Sequence, residues 1–127
     1  MSKSQSVLLS ISAGYSIAFA IFHIFFWRIF EWRKDLGRLT FINRCVMQIL
    51  NLCLTFVFVL FACLAIAHRE EMVGTALGRS LLVGISVFWF LRMIEQVFFF
   101  GLKRPVSIVF TLVFLAGAIL HILPLYF

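Results

Sequence analysis

Arg92, Glu95 and Gln96 stand inside the run "FWFLRMIEQVFFFG" at 88–101, where nearly every neighbour is apolar. On a helix they share one face by the i, i+3, i+4 rule. Such a face offers a cation for an anionic group, a carboxylate to balance charge or exchange a proton, and an amide to orient a bound molecule. Arg44, Gln48, Asn51 and Thr55 share a second face, and His23 shares a third with Ser16, Phe19 and Trp27. Ser107 and Thr111 mark a weaker polar face in the last apolar run.

The surroundings explain why these groups matter. The chain has 127 residues, 64% hydrophobic and 13% charged, whereas soluble domains are about half apolar and about a quarter charged. A chain this short has no interior large enough to hide so much apolar surface. Lipid must solvate most of it. Four runs, near 7–30, 42–67, 80–101 and 105–127, are long enough for spans of about 20 residues, and they lack the alternation of membrane strands. The expected fold is all-α: an integral membrane four-transmembrane-helix bundle forming a single domain over 1–127. Gly37, Gly101 and Pro105 are the expected helix punctuation. Lys3, the first apolar run and "AFA" at 18–20 imitate a signal peptide, but the run continues through Phe30, so a retained span is expected.

The links are "EWRKDLGRLTF", "HREEMVGTALGR" and "LKRP". The first and third, with their flanks, hold Arg28, Arg33, Lys34, Arg38, Arg44, Lys103 and Arg104, so the positive-inside rule places them in the cytoplasm and both termini outside. A bacterial inner membrane is the expected location. The net charge of +6 reads as attraction to anionic lipid rather than to nucleic acid. Trp27, Trp32 and Tyr126 read as interface anchors. Cys45, Cys53 and Cys63 fall in one run and read as small packing residues without disulfide or metal spacing.

Counting depth at about 1.5 Å per residue puts the polar faces on one level. His23 lies seven residues from Phe30, Gln48 and Asn51 six and nine from Ile42, and Glu95 and Arg92 six and nine from Gly101. All five sit roughly 9–14 Å in from the same face. Charges cost at least about 2.5–3.5 kcal/mol at mid-bilayer, so these faces turn inward and define a polar layer in the cytoplasmic half. Small residues gather in the other half: Ser10, Gly14 and Ala18; Ser12, Ser16 and Ala20; Ser80 and Gly84; Ala62 and Ala65; "AGA" at 116–118. Close packing there, against bulk such as "FHIFFWRIF" here, predicts a bundle tight outside and splayed inside.

The expected function is binding or transport of a polar or lipid-like solute by His23, Gln48, Asn51, Arg92, Glu95 and Gln96. The alternative is a non-catalytic membrane scaffold or accessory subunit whose polar cluster only fixes helix packing. A lipid-modifying enzyme using His23 and Glu95 ranks last because no nucleophile accompanies them. No metal and no cofactor is expected: His121 is displaced from His23 by roughly 14 Å in depth, too far for opposite faces of one haem. The expected partners are membrane lipids and either a second copy of the chain or another membrane protein.

Overall fold

The computed structural model describes residues 1–127 and is all-helical. Four of its helical segments are long and apolar enough to cross a membrane: Lys3–Ile24, Phe41–Ala67, Ala76–Phe100 and Pro105–Leu125. The helices are α1 (Lys3–Ile24), α2 (Phe26–Ile29), α3 (Trp32–Asp35), α4 (Phe41–Ala67), α5 (Arg69–Gly74), α6 (Ala76–Glu95) and α7 (Pro105–Ile122).

Local chemistry sets most of the ends. Ser2 and Gln5 form a reciprocal capping box, so α1 begins at Lys3, ahead of the expected boundary. Thr40 and Thr75 cap α4 and α6 with their side-chain oxygens. Because Thr75 serves as a cap, α6 starts at Ala76 rather than at 80. Pro105 opens α7 at a position where its missing N–H costs nothing. Gly101 takes φ 70°, which favours glycine, and there the polypeptide leaves the π-helical turn Gln96–Phe100 that extends α6.

The first run departs from one continuous span. The backbone leaves helical geometry at Phe25 and again at Phe30, and Glu31 is left-handed with φ 51°. No Gly or Pro announces this; the residues that follow explain it. Trp32 and Leu36 are buried, and Trp32 meets Phe26 edge-on at 5.5 Å. The first link therefore folds back on the residues that follow α1, and Trp32 is buried there instead of serving as the expected anchor. His23 thus sits at the last turn of α1, not seven residues inside a longer helix. The three cysteines also differ from expectation. All are free; Cys53 and Cys63 are exposed and Cys45 is partly so, pointing off the outer surface of α4 rather than into a packed seam.

α1 packs along α4, α6 along α7, and α1 against α7, while α5 lies on the start of α6. Of the two small-residue rows on α1, the structure uses Ser12, Ser16 and Ala20, which are buried; Ser10, Gly14 and Ala18 face outward. Ala62, Ala65, Gly117 and Ala118 are buried as well. Gly117 is required by a close approach, since a Cβ there would run into the Tyr15 ring and hydroxyl. That hydroxyl donates to the Val113 carbonyl at 2.8 Å.

The centre is aromatic. Trp89, 1% exposed, is stacked against Phe58 (5.3 Å, 14°) and Phe114 (6.0 Å, 17°). Phe19 packs at 4.7 Å, and Tyr15 and Phe88 meet it edge-on at 4.9 and 5.1 Å. On the side of the chain termini from this layer lies the apolar core, with Leu9, Ala13, Ala62, Leu82, Ile85 and Ala118 among its members. On the side of the basic links, the only buried side chains of the four spans are His23, Asn51, Gln96 and Ser107. The bundle is closed in one half and thinly packed in the other.

The Tyr15–Gly117 approach gives a direct check. Gly117→Ala should destabilise the fold by about 1–3 kcal/mol through overpacking. In a Tyr15→Leu background the same change should cost almost nothing, as read by unfolding in mild detergent. Equal costs in both backgrounds would show that the contact does not limit packing.

Candidate functional site

The polar groups below the Trp89 layer form two clusters on opposite helix pairs. On α1 and α4, the Asn51 amide donates from Nδ2 to the His23 carbonyl at 3.0 Å. That carbonyl can only accept, so the amide orientation is determined and Oδ1 faces the other way. Oδ1 is buried and has no partner. His23 Nδ1 lies 2.8 Å from the Phe19 carbonyl. The same logic puts the proton on Nδ1, and in the neutral ring it leaves Nε2 as a free acceptor. The ring is held by stacking on Phe26 at 4.3 Å and by Phe58 at 5.0 Å.

On α6 and α7, the Arg92 guanidinium lies over the Phe114 ring at 4.5 Å, a cation–π contact. Its Nη2 donates to Gln96 Oε1 at 3.4 Å, and Nη1 stands 4.0 Å from Glu95 Oε2. The side chains of Arg92 and Glu95 are 34% and 57% exposed, so this ion pair is half-open rather than buried. Gln96, at the start of the π-helical turn, is buried and donates from Nε2 to Ser107 Oγ at 3.1 Å. The Ser107 hydroxyl in turn donates a hydrogen bond to the Gly101 carbonyl at 2.5 Å. Widened turns of this kind re-aim side chains and are frequent at functional sites.

Of the six expected site residues, then, His23 meets Asn51 and Arg92 meets Glu95 and Gln96. Gln48 joins neither, because its Nε2 donates to the Arg44 carbonyl of its own helix at 3.1 Å. Thr55 likewise returns to Asn51 O at 2.8 Å. Intrahelical bonds of this sort satisfy a polar side chain without fixing a neighbouring helix. No three His, Cys, Asp or Glu side chains are grouped to hold a metal ion. Compared with family models, curated proteins and solved structures, the chain matches none.

The two clusters are linked through rings. His23 packs on Phe58, Arg92 on Phe114, and both rings stack on Trp89. Sequence reasoning passed over Trp89; its signal was a tryptophan far from either end of its apolar run, where no interface needs an anchor. It also ranked Ser107 low, although the residue stands two places after the helix-opening Pro105 and so beside the end of α6.

The Gln96–Ser107 bond is the tie between α6 and α7 at this level. Ser107→Ala should leave the buried Gln96 amide unpaired and lower stability by about 1–3 kcal/mol. Adding Gln96→Met should recover most of that loss in the same unfolding measurement. No recovery would mean that the Ser107–Gly101 bond, not the amide, carries the effect.

Proposed function

We propose that the chain is an integral inner-membrane protein whose thinly packed half binds, and passes on, a polar or lipid-like solute. The observation behind this reading is the composition of that half: beyond the Trp89 layer, every buried side chain of the spans is polar. Helices held together only for stability pack mainly small or apolar residues at their seams, as the other half of this bundle does around a single buried histidine, His121. A chain that places an arginine, a histidine and three amides at one depth keeps groups that are costly in lipid and useful to a ligand. In this reading Arg92 receives an anionic group, Glu95 balances its charge, and Asn51 and Gln96 orient the solute by hydrogen bonds. Gln48 contributes after releasing its bond to Arg44.

The basic links lie in the cytoplasm and both termini outside. A phosphatase fused to the C-terminus should be active and a fluorescent protein there should stay dark; the reverse pattern would invert the topology.

The scaffold reading has one observation in its favour. Asn51–His23 and Gln96–Ser107 are both interhelical bonds, and such bonds alone orient helices. Binding decides between the two. Arg92→Ala and Glu95→Gln should each weaken retention of co-purifying solute or lipid by about tenfold, equivalent to about 1.4 kcal/mol. If both variants fold normally and keep all binding, the cluster is structural and the chain is an accessory subunit.

A further inference from the structure

Four seams separate neighbouring helices in this bundle, and below the Trp89 layer three are closed by named contacts. Asn51 ties α4 to α1, the Phe22 and Phe110 rings meet between α1 and α7 at 5.8 Å, and Gln96 ties α6 to α7. Between α4 and α6, ring contacts join Phe58 and Phe61 to Phe88, and Phe58 to Trp89, at the layer itself. Further toward the basic links, no hydrogen bond, ion pair or ring contact crosses that seam. The open side therefore faces sideways. Helical spacing from Phe88 puts the half-exposed Arg92–Glu95 pair of α6 at the edge of the opening, and spacing from Phe61 lines its α4 side with Leu50, exposed, and Leu54, half-buried. What enters sideways past Leu50 and Leu54 arrives from lipid rather than from water.

The two walls behind the seam are chemically opposite. The α1/α4 wall offers acceptors: Asn51 Oδ1, unpartnered on a residue only 8% exposed, and His23 Nε2. The α6/α7 wall offers donors, because Arg92 carries five N–H groups and the structure engages one with Gln96 and one loosely with Glu95. Both walls lie beneath the same aromatic layer, His23 against Phe58 and Arg92 over Phe114, with both rings stacked on Trp89, so they border one site. Glu95 stands at the edge of the guanidinium, which favours a ligand bearing one negative charge over one bearing two. Arg44, Lys103 and Arg104 lie at the basic end, where each attracts anionic headgroups by roughly 1 kcal/mol.

We propose that the solute is an anionic amphiphile of the glycerophosphate type, a phosphodiester lipid with a free headgroup hydroxyl. It enters from the bilayer between α4 and α6, its phosphate on Arg92 and its hydroxyl donating to Asn51 Oδ1 or His23 Nε2. This inference rests on the solute-binding reading above and specifies its ligand.

The test titrates four probes into the purified full-length chain in a neutral detergent and counts bound molecules by native mass spectrometry. The probes are phosphatidylglycerol, phosphatidic acid and phosphatidylcholine with identical acyl chains, and free glycerol 3-phosphate. Phosphatidylglycerol should bind about tenfold tighter than phosphatidylcholine and about threefold tighter than phosphatidic acid. Charge alone would rank phosphatidic acid first, since a phosphomonoester carries about −1.5 to −2. Arg92→Gln should erase the preference for anionic lipid, and Asn51→Leu should erase only the preference for phosphatidylglycerol over phosphatidic acid. The ranking on the unaltered chain decides the matter even if a variant does not fold. Phosphatidic acid binding as well as phosphatidylglycerol overturns the role of the hydroxyl. Glycerol 3-phosphate binding as well as phosphatidylglycerol overturns entry from lipid, while solute binding stands. If no probe binds above the level of an Arg92→Ala, Glu95→Gln double variant, the solute-binding reading falls with it.

Discussion

The structure depends on how Trp89 is held. Phe58, Phe114 and His121 stack on it, and Tyr15, Phe19 and Phe88 surround it. These rings come from α1, α4, α6 and α7, so one residue draws all four long helices into contact. Aromatic pairs are worth about 0.5–1.5 kcal/mol each beyond the area they bury, and that bonus does not require water outside. That bonus matters for helices long and apolar enough to cross a membrane, because in lipid apolar burial by itself gives helices little reason to associate.

The layer also divides the molecule. On the terminal side, Ser12, Ser16, Ala62, Ala65 and Gly117 let the helices close, and Gly117 receives the Tyr15 ring. On the basic side, Phe26, Phe30 and the rings at 98–100 are too large to share a narrow seam, and Phe98, Phe99 and Phe100 are exposed. With that bulk directed outward, polar groups and the Phe22–Phe110 and Phe26–His23 ring contacts make up the interior. This arrangement is also why the Arg92–Glu95 pair is half-exposed: no helix covers it from the α4 side. A charged pair in that position costs less than a buried one and keeps donors available.

Each polar cluster leans on the aromatic layer for its geometry. His23 is stacked on Phe26 and meets Phe58 at a tilt, and Arg92 is spread over Phe114. The rings restrict two long or rotatable side chains without consuming their hydrogen-bonding capacity. Asn51 then presents an acceptor whose direction follows from the one bond its amide makes. A solute binding here would find groups already ordered, so less of its binding energy would go into arranging them.

Four apolar runs, their basic and acidic links, and the helix periodicity of their polar residues were all legible in the linear sequence. Lipid solvation, span length and side-chain spacing act locally and need no knowledge of neighbours. Counting helical rise gave His23, Gln48, Asn51, Arg92 and Glu95 an expected common height, although for His23 the count assumed a helix continuous to Phe30, whereas α1 ends at Ile24. Direction around the bundle was not legible. Helical spacing puts Gln48 and Asn51 on one face, yet only Asn51 reaches α1, because the carbonyl of His23 lies within its range and Gln48 returns to Arg44. Spacing equally allowed two small-residue rows on α1, and tertiary packing chose Ser12, Ser16 and Ala20 over Ser10, Gly14 and Ala18. The fold-back at Phe25–Leu36 accompanies the burial of Trp32 against Phe26 and Trp27, a ring cluster that helical spacing does not bring together. Sequence thus determined which groups stand at which height; packing against other helices decided which of them meet, which face outward, and that the seam between α4 and α6 stays open.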